Sequence, residues 1–266
     1  MILRTNVKLN LGLRVLGRRP DGYHDLETLF VPCDAFGDIL EVEPLMTQPK
    51  GSGPEAPACR LEISGPEYRG WSPEDDLVAK AWGLLREEFG IPGVLAHLEK
   101  HSPVGAGLGG GSADGAFMLK ALNDLFGLGL SEDALAERAA RLGSDCAFFI
   151  YNRQMFATGR GEVLEPFDID LSGFRFEVVV PEGVSVNTRE AYKGVDSYGF
   201  SAEKPLKECL QKPIEYWKEE VVNDFERSVF PLYPAIAVLK QQMYAKGAVY
   251  AAMTGSGSAV FGIFAK

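Results

Sequence analysis

Apolar and polar residues alternate from the start of the chain. In "TNVKLNLGLRVLG" (5–17) the period is two. That predicts a strand with Val7, Leu9 and Leu11 on one face and Lys8 and Asn10 on the other. "RRPDGYH" follows, with Asp21-Gly22 as a tight-turn signal. "DLETLFVPC" and "DILEVEP" read as further strands, giving an antiparallel opening. "TQPKGSGPEAPA" (47–58) is a Pro/Gly-rich loop. "SPEDDLVAKAWGLLREEFG" then starts on Ser72, Pro73 and acids and stops at Gly90, which marks a helix.

The second half repeats the mixture. "GVLAHLEKHS" (93–102) alternates as a half-buried strand. Ala113, Ala116, Phe117, Ala121, Leu125 and Phe126 recur at helical spacing. "SEDALAERAARLG" is a helix capped by Ser131 and stopped by Gly143. A short apolar run, a strand and a turn at 159–161 come next. From Phe174 comes a buried strand with its exit loop, then helical segments around 203–220 and 224–244. "GAVYAAMTGSGSAVFGIFAK" closes the chain as strand, Gly/Ser turn, strand. There are no repeats. The order predicts an α+β protein of two lobes, 1–157 and 158–266.

Between the strand at 93–102 and the helix after it lies "PVGAGLGGGSADGA" (103–116), with six glycines in fourteen residues. Ser112 reads as the N-cap and Asp114 as a first-turn acid that suits the helix dipole. A plain linker would not need that setting. A helix N-terminus approached through glycines is an anion cradle, because its N–H groups are unpaired and no Cβ keeps a phosphate away. Lys-Ser/Thr does not follow the last glycine, so this is not a Walker A loop. "GAGLGG" fits a dinucleotide fingerprint only formally.

Composition changes this little. The 266 residues are 46% hydrophobic and 24% charged, as in ordinary soluble proteins. A net charge of −10 argues against a generic nucleic-acid or anionic-membrane binder but leaves room for a local positive pocket. No apolar run has transmembrane length, and the first residues do not read as a signal peptide. Cys33, Cys59, Cys146 and Cys209 lack metal-site spacing, which points to free thiols in a reducing cytoplasm. Three scattered histidines do not suggest a zinc site.

Three further features carry candidate chemistry, each with a plainer alternative. Lys8 shares a face with Asn10, yet a lysine on a strand is more often an edge charge. Asp145 is either a carboxylate at a cleft edge or a cap for "CAFFI". "MTGSGSAVFG" (253–262) is either a hairpin turn or a second loop that closes over a phosphate or substrate.

Taken together these segments resemble the GHMP kinases, over nearly the full length. "PVGAGLGGGSADGA" is similar to that superfamily's P-x-x-x-G-L-G-G-G-S-A loop, and "MTGSGSAVFG" to its C-terminal glycine motif. "KLNLGLRVLGRRPDGYHDLETLF", "ATGRGEVLEPF" and "NDFE" (223–226) resemble the branch that phosphorylates a cytidine-diphosphate-linked methylerythritol in the non-mevalonate isoprenoid route. The chain departs from the pattern at Cys146 and Ala147, where Val-Pro usually follows the Asp. It departs also at Gly115, for alanine, and at Asn187, for proline.

The resemblance implies a ribosomal-S5-domain-2-like N-terminal lobe, a ferredoxin-like C-terminal lobe and an active site in the cleft between them. It implies transfer of the γ-phosphate of ATP, with Mg²⁺, to the 2-hydroxyl of the methylerythritol unit. The loop residues Pro103, Val104, Gly105, Ala106, Gly107, Leu108, Gly109, Gly110, Gly111, Ser112 and Ala113 would bind ATP. Asp145 would be the base, and Lys8 would keep it ionised and stabilise the moving phosphoryl group. Asn10 would bond the erythritol hydroxyls. His24 would read the cytosine edge and Tyr23 stack on its face. Tyr192 stands at the opposite aromatic plate, with Thr188 near it; its plainer reading is a surface aromatic. Ser112 is the candidate hydroxyl for Mg²⁺, and no carboxylate ligand is indicated. The remaining readings are a homoserine or mevalonate type of kinase, against which the Tyr23-His24 turn speaks, and a non-enzymatic nucleotide-binding protein.

Overall fold

The Asp21-Gly22 turn closes as its sequence predicts. Gly22 has φ +86°, its N–H bonds the Arg19 carbonyl at 3.0 Å, and Asp21 accepts from the Tyr23 N–H at 3.1 Å. In this computed structural model, which describes residues 1–45, 58–198 and 204–266, the turn joins β2 (Val7–Arg18) to β3 (His24–Cys33). The loop predicted at 47–58 lies outside the described residues except for Ala58, as does position 203.

Strands and helices are numbered along the chain. Around the hairpin lie β1 (Ile2–Arg4), β4 (Ile39–Pro44), β5 (Cys59–Ser64), α1 (Leu77–Phe89), β6 (Val94–Glu99) and α2 (Gly110–Leu125). Next come α3 (Glu132–Leu142), α4 (Cys146–Tyr151), β7 (Met155–Thr158), β8 (Val163–Pro166), β9 (Phe174–Val179) and α5 (Thr188–Tyr198). The chain ends with α6 (Leu206–Leu210), α7 (Trp217–Glu220), α8 (Phe225–Val229), α9 (Pro234–Ala245), β10 (Tyr250–Met253) and β11 (Val260–Ala265).

These elements form two compact units that interleave in sequence. The first comprises 1–6, 36–104 and 110–151; the second 7–35, 105–109 and 152–266. The β2–β3 hairpin shares a sheet with β7 and β8 rather than with β1 and β4, which flank it in sequence. The first unit holds the sheet β1-β4-β6-β5, in which only β5 and β6 run parallel, and helices α1 to α4. Helix α2 packs against α1, α3, α4 and β4. Its burial therefore extends past the predicted stripe to Asp114, Met118, Leu119 and Leu122. The second unit holds the antiparallel sheets β2-β3-β7-β8 and β10-β11-β9, with α5 to α9.

Two local expectations need correction. Asp76, not Ser72, caps α1: its carboxylate accepts from the Val78 N–H, and residues 73–75 form a separate 3₁₀ turn. Helix α5 begins at the end of the predicted exit loop, in a stretch where the sequence signals no element. Only Ala191 and Val195 bury an apolar side chain fully there, too thin a stripe to see.

The alternation in β2 is broken at Gly12, where the register with β3 shifts between Leu11 and Leu13. Gly12 has φ +67°, so it is an extra residue accommodated as a β-bulge. Past it the faces exchange. Leu13 and Val15 emerge on the side of Lys8 and Asn10 and enter the core formed with Val195, Phe225, Val229 and Met253. A Cβ on Gly12 would lie 2.6 Å from a Leu206 methyl. Gly12→Ala is therefore expected to lower stability by about 1–3 kcal/mol, from overpacking and the left-handed backbone together. A urea titration checks this: the midpoint should fall with unchanged slope.

Candidate active site

The glycine loop is built by alternation. Gly105, Gly107 and Gly109 have φ of +74°, +79° and +76°, while Ala106 and Leu108 between them are buried. Alternating left-handed glycines turn successive N–H groups toward one side, an anion-binding concavity. Leu108 accepts from the Lys8 N–H and Ala106 from the Ala259 N–H, both within the second unit. A Cβ on Gly107 would fall 2.3 Å from the Thr254 carbonyl oxygen, and one on Gly255 would fall 3.0 Å from that of Gly107. The two glycine motifs thus pack backbone on backbone.

In the first unit, α2 already begins at Gly110, so Ser112 lies inside its first turn rather than at the cap. A Cβ on Gly110 would lie 2.2 Å from Ser102 Oγ, whereas one on Gly111 would meet open space. Pro103 is half-buried and Val104 exposed, and Ala113 is fully buried in α2.

Lys8 is not an edge charge. It is buried, 4.9 Å from the Phe30 ring centroid, and donates to Asn10 Oδ1 at 2.6 Å. The same oxygen accepts from Thr254 Oγ1 at 3.1 Å and the Gly255 N–H at 3.0 Å, while Asn10 Nδ2 donates to Thr28 Oγ1. Asn10, 1% exposed, is a clamp that aims Lys8 and ties β2 to the second glycine motif.

A buried ionic knot, unread in the sequence, lies beneath the start of α2. The Lys100 ammonium bonds Asp38, Asp114 (2.5 Å) and Ser102. Asp38 also accepts from the His101 and Ser102 N–H groups at 2.6 and 2.7 Å. Burial drives Asp114 well above the usual carboxylate range despite Lys100. Asp38 is desolvated too, but the Lys100 charge and the bonds from Lys100 and Ser102 hold it below that range. The role of Asp114 is thus in the knot rather than at the dipole.

His24 opens β3 with its ring stacked on Tyr192, centroids 4.5 Å apart and planes at 16°. Its Nε2 lies 2.8 Å from Asp196 Oδ1. Tyr192 is edge-on to Phe225 and packs against the core, so it is not an ordinary surface aromatic. Tyr23 is 58% exposed, with the Arg160 guanidinium 4.9 Å from its ring centroid. Thr188 Oγ1, at the start of α5, is 2.8 Å from Ser256 Oγ of the second glycine motif. Thr188, Tyr192 and Asp196 are spaced by four on α5, hence on one face.

Asp145 lies half-buried in the turn between α3 and α4. Beside it burial raises the Cys146 thiol from 9.0 to about 12, although a Ser112 hydrogen bond works against the shift. Among the described residues no group of three or more His, Cys, Asp or Glu side chains is placed to hold a metal ion, and no helix is long and apolar enough to cross a membrane.

Two glycine motifs packed together and a glycine loop leading into a buried helix are matched by family models. Residues 76–153 match the GHMP kinases N terminal domain and 206–266 the GHMP kinases C terminal model. The class is thereby set: an ATP-dependent small-molecule kinase of the GHMP type. A 4-diphosphocytidyl-2-C-methyl-D-erythritol kinase of Bacteroides fragilis is 48% identical over 264 residues, covering 99% of this chain and 92% of its own. The enzyme of that name from Cytophaga hutchinsonii is 46% identical, with 99% and 92% covered. A crystal structure of 4-(cytidine 5'-diphospho)-2C-methyl-D-erythritol kinase superposes with TM-score 0.79 at 34% identity, covering 98% of this chain and 89% of that one. The chain belongs to the family of the 4-diphosphocytidyl-2-C-methyl-D-erythritol kinases. A homoserine kinase from Cytophaga hutchinsonii, 15% identical with TM-score 0.69, shares the fold.

The loop geometry separates packing glycines from open ones. Gly107→Ala should cost about 1–3 kcal/mol by overpacking, whereas Gly111→Ala should leave stability unchanged or raise it by about 0.5–1 kcal/mol. Thermal melts of the two variants decide between them. Cys146 gives a pH dependence. Its folded pKa exceeds the unfolded one, so its contribution is complete below about 8.5 and is lost as pH rises toward 12. Across that window the urea midpoint should fall further for wild type than for Cys146→Ala.

Proposed function

We propose that this kinase phosphorylates the 2-hydroxyl of 4-diphosphocytidyl-2-C-methyl-D-erythritol with ATP, as a step of the non-mevalonate isoprenoid route. The observation that carries the reading is the 48% identity, across 99% of the chain, to an enzyme named for that substrate. The glycine geometry supports a nucleotide phosphate as ligand: left-handed glycines at 105, 107 and 109, and open space above Gly111 at the N-terminus of a long helix.

The roles are assigned residue by residue. Backbone N–H groups of 105–112 hold the ATP phosphates and stabilise their charge as it shifts. Lys8, aimed by Asn10, supplies a fixed positive charge for the transferring phosphoryl group. Asp145 accepts the proton of the substrate hydroxyl as its oxygen attacks the γ-phosphorus and the bond to the β-phosphate oxygen breaks, releasing ADP. His24 contacts the base edge and Tyr23 its face. Mg²⁺ accompanying ATP would neutralise phosphate charge. Ser112 is the hydroxyl candidate for contact with that ion.

An ADP-release assay with the cytidine substrate beside homoserine and mevalonate tests the assignment; turnover confined to either of the latter overturns it. Within it, Asp145→Asn should lower kcat by about 10²–10⁴ with substrate and ATP still bound, since the amide keeps the shape but cannot take a proton. Lys8→Met should lower kcat strongly as well. Near-wild-type turnover in Asp145→Asn would reduce Asp145 to a turn residue.

A further inference from the structure

The segment "NDFE" (223–226) holds none of the roles assigned to the other motifs, yet its side chains close on the second glycine motif. Asn223 is 2% exposed. Its Nδ2 donates to the Met253 carbonyl at 2.7 Å and to the Gly255 carbonyl at 2.8 Å, while its Oδ1 accepts from the Phe225 N–H at 3.0 Å. Glu226 accepts from the Met253 N–H at 2.8 Å. The same segment is bonded to β2 just past the Gly12 bulge. The Leu13 N–H donates to the Val222 carbonyl, the Asp224 N–H to the Leu13 carbonyl, and the Val15 N–H to the Asp224 carboxylate. All of these groups belong to the second unit.

Two asparagines thus divide one tripeptide, 253–255, between them. Asn223 takes the carbonyls of Met253 and Gly255. Asn10 takes the Thr254 hydroxyl and the Gly255 N–H, and on the same oxygen it receives the Lys8 ammonium. A carboxamide suits position 223 because it offers two hydrogens to two carbonyls and one oxygen to one N–H, without charge. The carbonyl between, that of Thr254, approaches Gly107 so closely that a Cβ there would fall 2.3 Å from it. A tripeptide released by Asn223 would therefore shift against the Asn10 oxygen and the first glycine loop together.

We propose that Asn223 is a positioning residue for phosphoryl transfer: by fixing the carbonyls of Met253 and Gly255 it sets, through Asn10, where the Lys8 charge stands. This inference rests on the role given to Lys8 above. Asn223 acts through Gly255 and Asn10, not on the reacting atoms.

Asn223→Asp keeps the size of the side chain and sets an acceptor where two carbonyl oxygens need a donor. The experiment is a double-mutant cycle on kcat for the cytidine substrate at saturating ATP, in wild type, Asn223→Asp, Lys8→Met and the double variant. Asn223→Ala runs through the same cycle, and urea midpoints are measured for every protein. The expected result is a fall in kcat of about 10–100-fold in Asn223→Asp, with the KM for the cytidine substrate within about twofold of wild type. In the Lys8→Met background the same change should leave kcat unaltered, while the urea midpoint falls in both backgrounds. A residue that only supports the fold would lower kcat by the same factor with or without Lys8, and that result overturns the proposal. Wild-type kcat in a folded Asn223→Asp overturns it as well. So does failure of both variants at 223 to fold, which would make Asn223 a folding residue. Near-wild-type kcat in Lys8→Met overturns the role of Lys8, and this inference with it. A wild-type enzyme inactive on the cytidine substrate overturns the substrate reading alone, and the cycle is then read on the acceptor that the enzyme does phosphorylate.

Discussion

One amide oxygen, that of Asn10, joins β2 to the second glycine motif within the second unit. It receives the Lys8 ammonium, the Thr254 hydroxyl and the Gly255 N–H, so residues near the two ends of the chain meet on it. A buried carbonyl oxygen that receives three donors fixes their positions relative to one another. The position of Lys8 is therefore set by the same atom that sets the second glycine motif. That motif packs on Gly107, and Leu108 next to it accepts from the Lys8 backbone. Charge, anion cradle and loop are fixed as one rigid group.

The first unit solves a parallel problem by charge. Lys100, Asp38, Asp114 and Ser102 come from the end of β6, the turn before β4 and the first turns of α2. Their packing under Gly110 pins the start of α2. A buried knot of two acids and one lysine is tolerable because its members satisfy one another by hydrogen bonds.

Much of this was legible in the sequence. The hairpin, the glycine loop between strand and helix, α1, α3 and the closing strand pair all derive from period and punctuation, because each is decided by local preferences. The features that stayed hidden depend on tertiary contact. The Gly12 bulge exchanges the faces of a strand whose alternation looks unbroken. Asn10 reads as a polar residue on an open face but is consumed by partners more than two hundred residues away. Asp196 and Tyr192 meet His24 through α5, a helix whose narrow apolar stripe gives little signal. Lys100, Asp38 and Asp114 are ordinary charges until the fold buries them.

The interleaving of the two units bears on how the chain is made. The hairpin β2–β3 leaves the ribosome early, but the strand that covers its edge begins at Met155 and the segment bonded to Leu13 at Val222. For most of synthesis its apolar faces and an unpaired strand edge must wait, while the rest of the first unit between 36 and 151 emerges ahead of those partners. Such a nascent chain exposes a sticky ribbon for as long as translation takes to reach the C-terminal third. A pause there, or early release of a truncated chain, would leave the hairpin without the residues that normally bury it.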